Sequence, residues 1–193
     1  MKKIVLIALL ITSTFSHSQN QDEFKRLSHS AFVDLTSNSS VLYTYYNPDK
    51  IQETPLRERG AVELIYNFDY NFIKKMSIGY TIGYTHFTSP KFSSIKTGAG
   101  LKYYYIKDKL YFLSLQYGYH IPFNKDNFRE GHQIKIGQYF DITNIFKDSR
   151  LLFGLFYNYD FFYLDGAKPL LHVNNKPSSL KYNSYGLSLG IKF

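Results

Sequence analysis

The groups able to do chemistry in this chain are six histidines and a set of acids, bases and amides that recur at alternate positions. Histidine is the side chain best placed for proton transfer or metal ligation near neutral pH. No His-X-His or His-Glu-X-X-His spacing occurs, so no metal site is expected. There is no cysteine, which removes thiolate ligands and disulfides. The chain shows no glycine-rich phosphate loop, no solenoid repeat and no nucleic-acid signature, and neither a cofactor nor a nucleic-acid partner is expected. The polar set is Glu63, Asp69, Lys102, Gln116, Lys135, Asp141, Asn158, Asp160 and Lys192. It shares one phase with Asn67, Thr81, His120 and many glycines, such as Gly98, Gly100, Gly118 and Gly154. Such groups on one face can neutralise each other, which buried charges require. The other reading of the set is an ion or proton path.

These residues lie on strands. From Gly60 onward the period is two, over about 60–72, 76–87, 96–106, 110–121, 132–142, 150–163 and 181–193. An eighth strand, 39–47, has two faces that differ little. Residues 19–38 read as a periplasmic lead-in or an extension of this strand. Each strand is about as long as a tilted membrane strand, which takes roughly 9–11 residues. The face opposite the polar set is apolar: Val62, Leu64, Tyr66, Phe68; Ile78, Tyr80, Ile82; Leu113, Leu115; Ile134, Ile136; Leu151, Phe153, Leu155. It carries no Lys, Arg, Asp or Glu. With 19 Tyr and 17 Phe the chain is rich in the side chains that favour strands and membrane interfaces.

The short connections, 73–75, 107–109 and 143–149, alternate with longer ones, 47–59, 88–95, 122–131 and 165–180. That asymmetry is the one between the periplasmic turns and extracellular loops of a membrane barrel. An eight-stranded interior is just filled by side chains. It suits Gly, Ser, Thr and a few long polar groups, and is too narrow for the aromatic face. The apolar face therefore points to lipid. On this register Lys135 lies opposite Asn158 and diagonal to Asp160. Histidines 86 and 132 fall at strand ends on the lipid phase, His120 points inward near the rim, and His29 and His172 lie outside the clear strands.

The amino terminus reads as a secretory signal. Lys2 and Lys3 precede the apolar run Ile4–Ile11, and Ser16 and Ser18 precede a plausible cleavage before Gln19. Removing 1–18 leaves 175 of the 193 residues, enough for one domain, and lowers the net charge from +8 to +6. The mature chain has no apolar run near 18 residues, so it crosses no membrane as a helix. The organisation read is a signal peptide over 1–18, a lead-in over 19–38 and a barrel over 39–193.

The carboxyl terminus carries a resemblance. Tyr185, Leu187, Leu189, Ile191 and Phe193 alternate with Gly186, Ser188, Gly190 and Lys192, and the sequence stops on an aromatic residue. This resembles the closing strand of bacterial outer-membrane β-barrels, which their assembly machinery reads. It implies an all-β, eight-stranded antiparallel transmembrane β-barrel in the bacterial outer membrane. Upstream, His172-Val-Asn-Asn175 with Asn183-Ser-Tyr-Gly resembles the end of the outer-membrane lipid A deacylase family, eight-stranded barrels with a His-X-Ser-Asn motif. Asn174 stands where the nucleophilic Ser belongs, and no acid follows Asp165. A hydroxyl nucleophile and an orienting acid are both needed, so no catalytic set is complete and His172 is the one weak candidate. The expected role is non-catalytic: loops presented for surface interaction, or envelope integrity. The alternatives are a lipid A-modifying hydrolase and a narrow channel. Basic loop residues such as Lys50, Arg57, Arg59 and Lys91 read first as a solvated surface and otherwise as partners for the phosphates of outer-membrane lipid and lipopolysaccharide. The short turns are basic too, with Lys74, Lys75, Lys107, Lys109 and Lys147. The extracellular partner is unknown.

Overall fold

A computed structural model describes residues 27–47, 50–57, 59–105, 111–124, 126–146, 149–171 and 175–193. The signal segment, His172 and Asn174 lie outside them. The strands are β1 (Leu27–Asn47), β2 (Lys50–Pro55), β3 (Gly60–Ile73), β4 (Met76–Thr88), β5 (Lys91–Tyr104), β6 (Tyr111–Pro122), β7 (Glu130–Phe146), β8 (Ser149–Tyr163) and β9 (Lys176–Lys192). Every pairing is antiparallel between chain neighbours except β1–β3 and β1–β9, which are antiparallel too. The β1–β9 pairing closes a ring of eight: β1, β3, β4, β5, β6, β7, β8 and β9. The ninth strand, β2, stands outside the ring and pairs only with the upper part of β1.

Alternation builds the wall. One row of registered partners runs Phe153, Leu189, Val33, Leu64, Tyr84, Ile95, Ile121, all on the outer surface. The row beside it runs Gly154, Ser188, Asp34, Glu63, Thr85, Ser94, Pro122 and faces inward. Leu64 is 51 % exposed and Leu189 53 %, whereas Asp34 and Glu63 are at most 1 % exposed. A soluble protein inverts this. Apolar side chains out and ionised ones sealed in is the solvation pattern of a barrel whose outer face meets hydrocarbon.

Three boundaries differ from the sequence expectation. Residues 27–38 are the lower half of β1 and not a lead-in. Here the second sequence reading, a longer first strand, describes the chain. β5 begins at Lys91, so 88–95 is a tight turn followed by strand and not a loop. The 47–59 connection contains β2. The weak alternation of β1 has a physical cause. A bulge between Asn38 and Ser40 inserts one extra residue. Inward positions are even below it (Ser28, Ser30, Phe32, Asp34, Asn38) and odd above it (Val41, Tyr43, Tyr45). A one-residue slip exchanges the two faces.

The lumen is plugged at both ends. At the loop end Tyr43, Phe87, Phe92, Phe128, Phe162, Leu164, Leu180 and Tyr182 share one buried cluster. Phe87 stacks on Phe92 at 4.6 Å and meets Phe162 edge-on at 5.2 Å. Phe128 and Leu164 come from the loops, so the cap and the loops are one structure. At the turn end Phe32, Ile65, Tyr104, Phe112, Tyr139 and Leu152 form a second cluster, with Phe112 and Tyr139 stacked at 4.9 Å. The aromatic face lies outside, as the volume of the interior requires, and the lumen ends hold further aromatics that the sequence reading did not place there. Glycine makes the room: a Cβ at Gly137 would lie 2.8 Å from the Tyr139 ring.

Candidate functional site

Between the two plugs lies a layer of charge. Its acids are Asp34 on β1, Glu63 on β3 and Asp160 on β8; its bases are Lys96 on β5 and Lys135 on β7, with His120 on β6. All are at most 1 % exposed. Each stands on an inward position of its strand, so the ring brings together residues up to 101 apart in sequence.

The hydrogen bonds form a connected set. Lys96 Nζ donates to Glu63 Oε2 at 2.6 Å and to Gln133 Oε1 at 2.8 Å. Gln133 Nε2 donates to Glu63 Oε1 and to Asp160 Oδ1, both at 2.9 Å. Both ends of that one amide are used. Asn158 Nδ2 donates to Asp160 Oδ2 at 2.8 Å. Lys135 forms a close ion pair with Asp34 and stands 3.9 Å from Glu63 Oε2. Its ammonium also lies 3.9 Å from the centroid of the Phe156 ring, within cation–π range. Gly118 clears the path for the Lys96 stem, since a Cβ there would sit 3.2 Å from Lys96 Cδ.

Within the layer one arrangement has the order of a hydrolytic relay. Ser94 Oγ is 2.8 Å from His120 Nδ1, and His120 Nε2 is 3.2 Å from Asp160 Oδ1. With the imidazole neutral, Nε2 donates to the carboxylate and Nδ1 accepts the serine hydroxyl proton. A nucleophile also needs a substrate beside it. Ser94 and His120 are both 0 % exposed. Phe87 and Phe162 lie 6.0 and 5.2 Å from the His120 ring. The contact therefore satisfies buried polar groups beneath the aromatic cap and offers no berth for an acyl group.

The sequence-predicted network divides in the structure. Glu63, Lys135, Asn158 and Asp160 join the central layer, and Lys135 faces Asn158 in the expected register. Asp69 and Lys102 form a separate pair nearer the turn end, at 2.5 Å, with Lys102 5.5 Å from the Phe112 ring. Asp141 is held by Arg150 at 2.8 Å, and Lys192 lies 5.1 Å from the Tyr104 ring, both at the turn-end mouth. Gln116 Nε2 donates to Ser114 Oγ at 3.3 Å. Sequence reasoning missed Asp34, Ser94, Lys96 and Gln133. The first sat in the presumed lead-in and the second in the presumed loop. The signal that finds Ser94 and Lys96 is the alternation of Phe92, Ser94, Lys96 and Gly98 carried back into that loop. Among the described residues no group of three or more His, Asp or Glu is placed to hold a metal. Tyr185, Leu187, Leu189 and Ile191 face outward on β9, with Phe193 just beyond it.

Outside the barrel, the loops are tied to one another. Arg129 N donates to Tyr163 O at 2.8 Å, and Lys168 N to Asp126 O at 2.9 Å. Lys168 Nζ and Asp126 Oδ2 are 2.8 Å apart. The hydrogen bond from Lys168, and then its charge, hold the Asp126 carboxyl below its ordinary range, and the same bond raises the Lys168 ammonium.

No protein-family model matches the sequence, and no curated protein matches it either. Among solved structures the fold is similar to that of the outer membrane protein OprG from Pseudomonas aeruginosa, at 11 % identity and a TM-score of 0.53, over 86 % of this chain and 95 % of that one. Neisserial surface protein A aligns at 14 % identity and a TM-score of 0.49, over 87 % and 96 % of the two chains. The outer membrane protein AlkL aligns at 11 % and 0.47, over 92 % and 94 %. At this identity the OprG likeness speaks to fold alone: the chain has the architecture of a small bacterial outer-membrane β-barrel.

Proposed function

We propose that this protein is a non-catalytic resident of the bacterial outer membrane that presents a rigid loop platform at the surface and contributes to envelope integrity. The observation that carries the reading is the sealed lumen. An aromatic cap built partly from the loops covers a charge layer whose acids and bases face one another. Such an interior supports a wall and not a path: a filled eight-stranded lumen leaves no diffusion route, and every buried charge named has a partner that a moving ion would have to displace. The loop end faces outward on this reading, because the short turns, the start of β1 and the end of β9 lie opposite it. The closing strand Tyr185–Phe193 is the segment offered to the barrel assembly machinery.

The test is a strain lacking the gene. Uptake of a hydrophobic dye across its outer membrane is expected to rise and to be restored by the wild-type protein and by His172→Ala equally. Unchanged uptake on deletion removes the envelope role. A lipid A mass spectrum that changes with wild type and not with His172→Ala returns the hydrolase. Conductance steps abolished by Lys135→Met return the channel.

A further inference from the structure

The outer wall is not uniformly convex. A shallow, open apolar groove of about 480 Å³ crosses β1, β3, β4 and β5, lined by Ala31, Val33, Leu64, Tyr66, Ile82 and Ile95. The depression has a simple origin. Ala31 pairs with Tyr66 on one side and Ile191 on the other, and its own methyl group leaves their height unmatched. The volume falls within the ~300–1,000 Å³ of small-ligand sites.

What lies above the groove identifies its occupant. Along the outer face of β5, from belt to loop end, come Ile95, Ser93 and Lys91; along β4 come Ile82, Tyr84, His86 and Thr88. Each column passes from apolar to polar. Ser93 gathers the polar band, with Tyr84 Oη at 2.9 Å and His86 Nδ1 at 2.8 Å from its hydroxyl. At the rim Lys91, Arg57 and Arg59 are exposed, and Glu58 is the only acid in the sequence of these two connections, 56–60 and 88–91. An apolar slot in hydrocarbon beneath a hydroxyl and imidazole band beneath cations matches one kind of molecule: an acylated, phosphorylated lipid of the leaflet on the loop side.

We infer that this groove is a binding site for one lipid A-type molecule, an acyl chain lying along Ala31–Ile95 and a phosphate at Lys91, Arg59 and Arg57. The inference rests on the outward orientation of the loop end proposed above. Basic groups near an anionic surface gain electrostatically, and acyl burial supplies the remainder.

The experiment uses full-length mature protein refolded in mild detergent, with purified lipid A or phosphatidylglycerol added, read by native mass spectrometry. A one-to-one lipid A complex is expected. Ala31→Trp fills the slot with another apolar group that lipid tolerates and is expected to abolish the complex. Ile136→Trp, on the outer face of β7, is the control and leaves it intact. Lys91→Glu is expected to weaken binding about five-fold or more, because each basic group near the surface contributes roughly 1 kcal/mol. Heat-modifiable gel migration verifies folding of each variant. No complex, or equal loss in the two Trp variants, overturns the site. Equal binding of phosphatidylglycerol overturns its assignment to the outer leaflet. The dye-uptake test is separate: Ala31→Trp that loses lipid A yet restores the barrier leaves the site standing and removes it from the envelope role, whereas unchanged uptake on gene deletion leaves this site untouched.

Discussion

The outer and inner walls of this barrel are made by the same strands, yet they obey opposite solvation rules. On the outer wall an apolar side chain is tolerated at nearly every position of the belt, and identity matters little: Phe, Leu, Val and Tyr follow without pattern along a row such as Phe153–Leu189–Val33–Leu64–Tyr84. On the inner wall identity is everything. Lys96, Gln133 and Glu63 meet atom to atom across three strands, and none could be exchanged without stranding a partner. The difference is one of solvent. Hydrocarbon is a uniform medium that asks only for absence of charge, whereas the lumen is a fixed one in which a buried charge is costly without its counterpart.

That contrast can be broken first on the inside. Lys135→Met leaves Asp34 without its close partner and removes a neighbour of Glu63. It is expected to cost about 3–5 kcal/mol, the range for removing one member of a buried pair. Urea unfolding in lipid vesicles measures it, and a loss below roughly 1 kcal/mol would mean that Asp34 is not sealed from water. The outer wall gives the next effect. Leu189→Arg places a cation at mid-belt and is expected to cost about 2–4 kcal/mol by the same assay, while Leu189→Phe passes unnoticed. If the arginine is tolerated as well as the phenylalanine, the outer face is not in hydrocarbon. Smaller still is Ser94→Ala. Losing one partner of a buried imidazole nitrogen is expected to cost about 1–3 kcal/mol. A fluorophosphonate probe is expected to leave Ser94 of the folded wild type unlabelled, and stoichiometric labelling would make the relay a working nucleophile.

The smallest effect belongs to neither wall. Asp126 and Lys168 are exposed in the loops, and their pairing shifts both groups toward the charged form. A depressed carboxyl contributes above its unfolded pKa, and the contribution is lost as pH falls through the folded one. A raised ammonium contributes below its unfolded pKa, and the contribution is lost as pH climbs through the folded value. Nicking of the 164–171 loop by an acid protease is therefore expected to quicken slightly only below the ordinary aspartate value of about 3.8. Asp126→Asn is expected to remove the pH step. A step that survives the substitution belongs to other groups.

How much of this was legible beforehand follows the same division. The outer wall could be read almost residue by residue, because period two in hydrophobicity is a local signal. It faded only in β1, where the bulge at Asn38/Ser40 exchanges the faces midway and averages the pattern away. The inner wall was legible as a class and not as a network. Glu63, Lys135 and Asp160 announce themselves as charges on the inward phase, but their partners depend on the stagger of strands around a closed ring. The pairing of Lys135 with Asp34 spans β7 and β1, and no local spacing encodes it. The aromatic plugs went unread because the volume argument, which places the outer face correctly, was not carried on to the inward rings and the glycines opposite them. Tyr139 fits because Gly137 and Gly154 lie beneath its ring. The loop cap was invisible for another reason: Phe128 and Leu164 sit in irregular segments whose path no periodicity describes.

The central claim is that odd positions of β9 face lipid and even positions face a sealed interior. The chain has no cysteine of its own, so single cysteines at 186–191 can each carry a nitroxide label in vesicles. Collisional relaxation by oxygen dissolved in the bilayer is predicted to be high at 187, 189 and 191 and low at 186, 188 and 190, with a water-soluble nickel chelate reaching neither set. The reverse alternation, or access of the chelate to the odd positions, would contradict the account.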